Sequence, residues 1–278
     1  MKLNFDKWDN RSKGIQSNTG FKEVIKSLDN HLTFVWQLSD LIWANGYVNI
    51  FNHGNRHFMM RTELIDSTEN TLKSIRTLID YGHFSDVNVL VRKFRDDLFL
   101  YLYFLEVGNR YDNKSISKHE NNCFDWIEGK LKDFKLTDIL IFLMKNKEVE
   151  KVINRYNLRK VWDDIGMNLN NFVHANGLSY VRMNYANFNS KSIERILKDI
   201  KFKMEYIISI FVILIILIKP NLIAASDYVD ALDLGIQPEM GSQYFVAPFI
   251  QNYLDEHIVN LNPEIKNFIK DSVYMDIN

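Results

Sequence analysis

The sequence is poor in the residues that break regular structure. It contains 11 glycines and 4 prolines in 278 residues, whereas average usage is about 7% and 5% of a chain. Both residue types mark tight turns and chain reversals, and sheet-rich folds need many such turns. Their scarcity predicts an all-α protein built of long helices with few connections.

The sequence also has few cysteines and a net charge close to zero. Cys123 is the only cysteine, which excludes an intramolecular disulfide and a cysteine-based zinc site. Because Phe124 and Trp126 follow it closely, we predict a buried thiol that fills space. The formal net charge is −1, so the overall charge does not favour polyanion binding by the chain as a whole. Any nucleic-acid site has to be a local patch.

One long hydrophobic stretch raises the question of a membrane. Residues 207–218 read IISIFVILIILI and are apolar except for Ser209. This run is shorter than the roughly twenty residues that span a bilayer, and Lys219 and Pro220 follow it. We therefore predict a helix at the centre of the core, with membrane association through residues 206–225 as the alternative. The first residues lack the apolar core of a secretory signal, so we expect a cytoplasmic protein.

Apolar residues recur every three or four positions along several stretches, which is the pattern of amphipathic helices. The clearest helices are predicted at residues 20–44, 61–81, 86–107, 147–176 and 190–218. Those at 86–107 and 190–218 are apolar on most sides and are expected at the centre of a multi-helix bundle. We predict one bundle-like domain over residues 1–234 and a helical C-terminal extension over 235–278 packed on it.

Residues 47–60 show no clear helical spacing and contain His53 and His57. Histidines four residues apart share a face of a helix, as paired zinc ligands do. However, Gly54 and Asn55 argue against a helix there, and no glutamate follows His53 directly. The sequence also lacks a glycine-rich phosphate loop and a nucleophile elbow. We therefore predict neither a metal site nor a cofactor.

Two segments contain side chains that are suited to chemistry. In residues 168–177, NLNNFVHANG, His174 is predicted near the end of a helix, with Asn170 four residues earlier on the same face. Imidazole exchanges protons near neutral pH, so His174 is a candidate acid–base residue. In residues 90–98, LVRKFRDDL, Arg92 is spaced to pair with Asp96 and is a candidate cation for a cleft. A partly buried structural histidine and a surface ion pair are the alternative interpretations.

Residues 77–104, TLIDYGHFSDVNVLVRKFRDDLFLYLYF, and the later FVHANG at 172–177 carry a family resemblance. This order of a helix, a glycine turn, an arginine-bearing helix and a histidine at a helix end resembles the core of HEPN-like helical proteins over roughly residues 60–218. The resemblance implies a metal-independent ribonuclease that works as a dimer, with His174 as its histidine. Such proteins separate an arginine from that histidine by four to six residues. Leu169, Asn168 and Met167 occupy the corresponding positions here, so Arg92 would have to supply the charge from another helix.

These observations lead to three hypotheses. The first is a helical protein of a prokaryotic conflict system, of the phage-defence or toxin–antitoxin type. It would act through protein or RNA interactions, as a homodimer or as a subunit of a complex. The second is a divergent HEPN-type ribonuclease using His174, with Arg92 and Asn170 assisting. The third is a membrane-associated effector. The missing arginine favours a non-catalytic interaction protein, and whether the chain is an enzyme stays open between the first two.

Overall fold

Helices account for most of the chain, as the scarcity of glycine and proline predicts. The structure, a computed structural model, describes residues 6–131, 135–184 and 190–278. Its α-helices are α1 Asp6–Gln16, α2 Thr19–Ala44, α3 Glu63–Tyr81, α4 Phe84–Asn109, α5 Lys118–Ile127, α6 Leu136–Leu143, α7 Lys147–Arg155, α8 Leu158–Val173, α9 Leu178–Arg182, α10 Ser190–Ile218, α11 Asp227–Asp233, α12 Pro248–Tyr253, α13 Val259–Leu261 and α14 Pro263–Ser272. Short 3₁₀ turns at Pro220–Ile223 and Ser242–Tyr244 and a π-helical turn at Leu254–Ile258 complete the helical structure.

The helix ends follow local chemistry that is readable in the sequence. At the start of α2, the Asn18 Oδ1 accepts a hydrogen bond from the Gly20 amide at 3.0 Å. The predicted helix over 147–176 is divided into α7 and α8 at Asn157, which has a φ of 51°. Because left-handed backbone ends a helix and asparagine tolerates it better than most residues, the break falls there. Asn262 caps α14, since its Oδ1 accepts a hydrogen bond from the Glu264 amide at 2.9 Å.

The region that showed no helical spacing forms a β-hairpin. Strand β1, Asn49–His53, pairs antiparallel with β2, Arg56–Met60, and Gly54 and Asn55 form the turn. Because side chains alternate between the two faces of a strand, Phe51 and Phe58 both point inward and stack at 4.6 Å between ring centroids. The same alternation places His53 and His57 on opposite faces, so they do not form a pair of ligands.

The chain forms two compact units, each assembled from three segments. The first contains residues 1–35, 67–96 and 159–208, and the second contains 36–66, 97–158 and 209–278. The extension predicted from residue 235 onward belongs to the second unit. Cys123 in α5 is fully buried in that unit, as predicted, and burial raises the pKa of its thiol.

Residues 207–218 are buried throughout, with no residue more than 7% exposed. The run therefore belongs to the protein core, as its length predicts. Among the described residues, no helix combines the length and the apolar character needed to cross a bilayer.

Candidate functional site

His174 lies directly after the last residue of α8, so the predicted helix end is confirmed. Its backbone amide donates to the carbonyl oxygen of Asn170 at 3.0 Å and closes the last helical turn. The buried ring of Phe172 anchors this turn by lying edge-on to Tyr180, 4.8 Å away between centroids. Ala175, with a φ of 49°, then turns the chain out of the helix. His174 is consequently exposed at the end of α8.

The side chain of His174 shares a groove with Arg92. The groove has a volume of about 350 Å³ and is lined by Val89, Arg92, Lys93, Asp96, Val173 and His174. We call this feature the His174 groove. Asn170 is exposed as well, but it does not line the groove. Two of the three predicted site residues are therefore brought together by α4 and the end of α8.

The two cations of the groove are held differently. Arg92 is half-buried, and its Nε donates to the Asp96 Oδ2 at 3.4 Å, the pairing that the spacing predicts. None of the described residues accepts a hydrogen bond from the Arg92 Nη1 or Nη2, so these donors remain available to a ligand. The Lys93 Nζ instead donates to the hydroxyls of Ser67 at 2.8 Å and Thr71 at 3.3 Å on α3. Arg92 is thus the better placed of the two to bind an anion.

Arg95 is a buried cation on the same helix, and it was not among the predicted site residues. Only 4% of Arg95 is exposed. Its guanidinium lies over the Trp162 ring, 5.4 Å from the centroid, and its Nη2 donates to the Asp96 Oδ1 at 2.9 Å. Burial lowers the pKa of Arg95, and the charge of Asp96 opposes that effect. Asp96 therefore binds the buried Arg95 with one oxygen and the groove residue Arg92 with the other.

Gly166 on α8 makes room for Arg95. A Cβ atom at this position would lie 2.9 Å from the Arg95 Nη1. Glycine inside a helix costs about 1 kcal/mol relative to alanine. At Gly166 that cost is offset by the space it leaves for the guanidinium between α4 and α8.

Lys203 on α10 is a second buried cation that was not predicted from the sequence. It is 2% exposed, and its Nζ donates to the Asn168 Oδ1 at 2.6 Å and to the Asn88 Oδ1 at 3.0 Å. It also pairs with Asp199 at 2.5 Å within its own helix. Burial lowers the pKa of Lys203, whereas Asp199 raises it. Because Asn88, Asn168 and Lys203 belong to α4, α8 and α10, this one ammonium group joins the three helices.

The spacing of both residues does contain a signal for their burial. Arg95 follows the buried Val91 by four positions and precedes the buried Leu98 by three, so it stands on the apolar face of α4. Lys203 stands in the same way between the buried Ile200 and Ile207. A charged residue on the apolar face of a helix predicts a buried, hydrogen-bonded charge.

A larger cavity, of about 860 Å³, lies in the second unit. Its polar lining includes Asp227, Gln251, Lys270 and Asp276. It contains carboxylates and a single ammonium group but no imidazole, so it offers less acid–base chemistry at neutral pH than the His174 groove. Within the described residues, no three His, Cys, Asp or Glu side chains converge as metal ligands.

No protein-family model, curated protein or solved structure matches this chain. The function is therefore inferred from the chemistry of the His174 groove, which combines an exposed imidazole with an arginine that has free donors.

Proposed function

We propose that the His174 groove binds the phosphate backbone of RNA and that His174 transfers a proton during metal-independent cleavage. The observation that carries the proposal is that His174 and Arg92 line one groove. Imidazole is the most frequent general acid–base group near neutral pH. A guanidinium with two free nitrogen donors matches the oxygens of a phosphate group.

The reaction that fits these groups uses the 2′-hydroxyl of RNA as the nucleophile. His174 accepts the proton of that hydroxyl while its oxygen bonds to the adjacent phosphorus. The bond between phosphorus and the 5′-oxygen breaks, and the proton is passed through His174 to that oxygen. The products are a 2′,3′-cyclic phosphate and a free 5′-hydroxyl. Arg92 stabilises the charge that builds up on the phosphate oxygens.

Two buried cations lie in the unit that contains the groove. Arg95 and Lys203 are nearly inaccessible to water, whereas their carboxylate partners Asp96 and Asp199 are 38% and 51% exposed. Solvent screens the carboxylates more than the buried cations. The positive charge nearest to a bound phosphate is that of Arg92 and Lys93, which line the groove themselves.

The resemblance of residues 60–218 to HEPN-like proteins supports a role in a prokaryotic conflict system, of the phage-defence or toxin–antitoxin type. In that role, cleavage or binding of RNA would produce the biological effect. His57 has no role in this reaction, since it lies exposed on the hairpin and does not line the groove.

RNA cleavage by purified full-length variants tests the proposal. We expect His174→Ala to lower the rate by about 10²–10⁴-fold, the usual contribution of a general acid–base group. We expect Arg92→Gln to lower it by about 10²-fold or more. His57→Ala is the matched control, and circular dichroism verifies that each variant is folded. Full activity in folded His174→Ala, or no cleavage of any RNA by the unchanged protein, would contradict the nuclease proposal.

A non-catalytic interaction protein is the second candidate, and exposed apolar side chains on α4, α8 and α9 favour it. Met167 and Leu178 are each 61% exposed, and Val89, Val173 and Val181 are exposed as well. Clustered apolar residues at a surface mark contact sites between proteins. On this view a second copy of the chain covers the ends of α8 and α9.

Light scattering separates this candidate from the nuclease. Self-association through this surface predicts a dimer that Leu178→Glu converts to a monomer, with no turnover of RNA. Ile50→Glu, at an equally exposed apolar position on the hairpin, is the control and should leave the dimer intact. A monomeric protein that cleaves RNA would exclude the interaction role.

A further inference from the structure

His119 occupies a well-defined position in the second unit, and the proposed nuclease reaction does not use it. It stands in the first turn of α5, which begins with a reciprocal cap between Ser117 and Glu120. Its imidazole stacks on the Phe142 ring of α6, at 3.9 Å between centroids and an angle of 29°. The Tyr103 hydroxyl lies 3.0 Å from its Nδ1. Stacking and hydrogen bonding together fix the orientation of the ring.

The tautomer of His119 is assigned from the hydrogen bonds at Tyr103. The Asn122 Nδ2 donates to the Tyr103 oxygen at 3.4 Å. We assign the tyrosine proton to the nearer of its two acceptors, the His119 Nδ1 at 3.0 Å, and not to the His119 carbonyl oxygen at 3.4 Å. An imidazole that accepts at Nδ1 carries its proton on Nε2. None of the described residues accepts that proton. His119 therefore presents a free N–H donor.

Three cations lie near the His119–Phe142 stack. The Lys145 Nζ lies 5.4 Å and the Arg110 Cζ lies 5.8 Å from the centroid of the same Phe142 ring. Lys118 precedes His119 in the chain. The Arg110 Nε is paired with Glu106 at 2.5 Å, but neither Lys118 nor Lys145 pairs with a carboxylate of the described residues. The surface around Phe142 thus carries an excess of positive charge.

The electrostatic effect of these cations on His119 is consistent with that excess. The pKa of His119 is lowered, first by burial and then by the charges of Lys145, Lys118 and Arg110. Like charges that are held close together repel one another. An anion at this position would relieve the repulsion and accept hydrogen bonds from several donors at once.

We propose that His119, Lys118, Lys145 and Arg110 form a binding site for an oxyanion of the phosphate class. The His119 Nε2–H and the ammonium of Lys145 bind the anion directly, and Lys118 and Arg110 add charge. Charge-assisted hydrogen bonds of this kind are roughly twice as strong as neutral ones. The site is independent of the His174 groove, since it uses different residues and involves no proton transfer.

Nuclear magnetic resonance of the His119 imidazole in the full chain tests the site, with the signal assigned by its loss in His119→Gln. The probes are inorganic phosphate, adenosine monophosphate and a short oligonucleotide. We expect saturable shifts with a dissociation constant of about 1 mM or tighter for at least one probe, and a rise in the His119 pKa on binding. The tightest probe identifies whether the site takes a free phosphate, a nucleotide or a nucleic-acid backbone.

Matched lysine variants provide the control. Lys145→Gln should weaken binding about tenfold through the loss of one cation. Lys151→Gln on α7, which removes an exposed lysine paired with Glu148, should leave binding unchanged. Absence of a saturable shift with all three probes would overturn the proposal, as would equal affinities of the unchanged protein and Lys145→Gln. Because the signal belongs to His119, neither result depends on RNA cleavage at the His174 groove.

Discussion

The guanidinium of Arg95 binds the carboxylate of Asp96 through two hydrogen bonds to one oxygen, from Nη2 at 2.9 Å and from Nε at 3.1 Å. The remaining oxygen of Asp96 accepts from Arg92 in the His174 groove. The buried guanidinium of Arg95 thereby holds the Asp96 carboxylate in place, and that carboxylate in turn positions Arg92. The position of Arg92 depends on Arg95, although Arg95 does not line the groove.

Removal of the Asp96 carboxylate is expected to destabilise the protein. Asp96→Ala leaves the buried Arg95 without its ionic partner, which costs about 3–5 kcal/mol in fully buried pairs. Because Asp96 is 38% exposed and solvent weakens such a pair, we expect about 2 kcal/mol, measured by urea unfolding. Asp163→Ala breaks a pair with Arg159 in which both side chains are half-exposed, and it should cost less than about 1 kcal/mol. If Asp96→Ala and Asp163→Ala lowered the free energy of unfolding equally, the burial of Arg95 would not strengthen its pair with Asp96.

Two glycines in helices provide a test of the space that Arg95 needs. Alanine in place of a helical glycine normally stabilises by about 1 kcal/mol, and Gly14→Ala should do so because no atom lies within 4 Å of the added Cβ. Gly166→Ala should destabilise, since its Cβ would lie 2.9 Å from the Arg95 Nη1. Thermal unfolding of both variants measures the difference. Stabilisation by Gly166→Ala would mean that the guanidinium moves aside freely.

Lys203 is expected to contribute more to stability than its exposed neighbour Lys198. Lys203→Met retains an apolar stem of similar length but leaves the amide oxygens of Asn88 and Asn168 without a donor. Each buried, unsatisfied group costs about 1–3 kcal/mol. Lys198→Met removes only an exposed pair with Glu194, for which less than about 1 kcal/mol is expected. Urea unfolding of the two variants measures both losses, and a loss no greater for Lys203→Met would contradict this role.

The lowered pKa of His119 predicts a dependence of stability on pH. The unfolded chain binds a proton at a pKa of about 6.5, whereas the folded chain binds it only at lower pH. Below about pH 6.5 the unfolded state therefore holds more protons, and the free energy of unfolding falls as the pH decreases through the lowered pKa. The groups that surround the ring are Tyr103, Glu106 and Arg110 on α4, Lys118 and Glu120 on α5, and Lys145 after α6.

Urea unfolding at pH 7.5 and pH 5 measures this effect. His119→Gln, which removes the titrating group, should show a smaller loss of stability between the two values. An exposed histidine on the hairpin provides the control, and His57→Gln should retain the full loss. If the unchanged protein, His119→Gln and His57→Gln all lost the same stability between pH 7.5 and pH 5, the loss would come from titrating groups other than His119.

Most of the secondary structure could be predicted from helical spacing and capping residues. The predicted ends of α2, α3 and α4 lie within two residues of the observed ends, because three- and four-residue periodicity and local caps act over short distances. The same spacing placed His174 at a helix end. The hairpin at 49–60 was not predicted. Its only sequence signal is that inward and outward side chains alternate along two five-residue strands on either side of Gly54 and Asn55.

The sequence by itself determined that the chain is helical, that residues 207–218 are buried and that His174 lies at a helix end. Each of these follows from composition or from neighbours within a few positions. Only the tertiary structure decided that Arg92 and His174 line one groove and that Arg95 and Lys203 are buried. It also decided that Lys145 and Arg110 gather around His119. Those relationships join residues on different helices, and their energies depend on distance and solvent exposure, which local spacing does not specify.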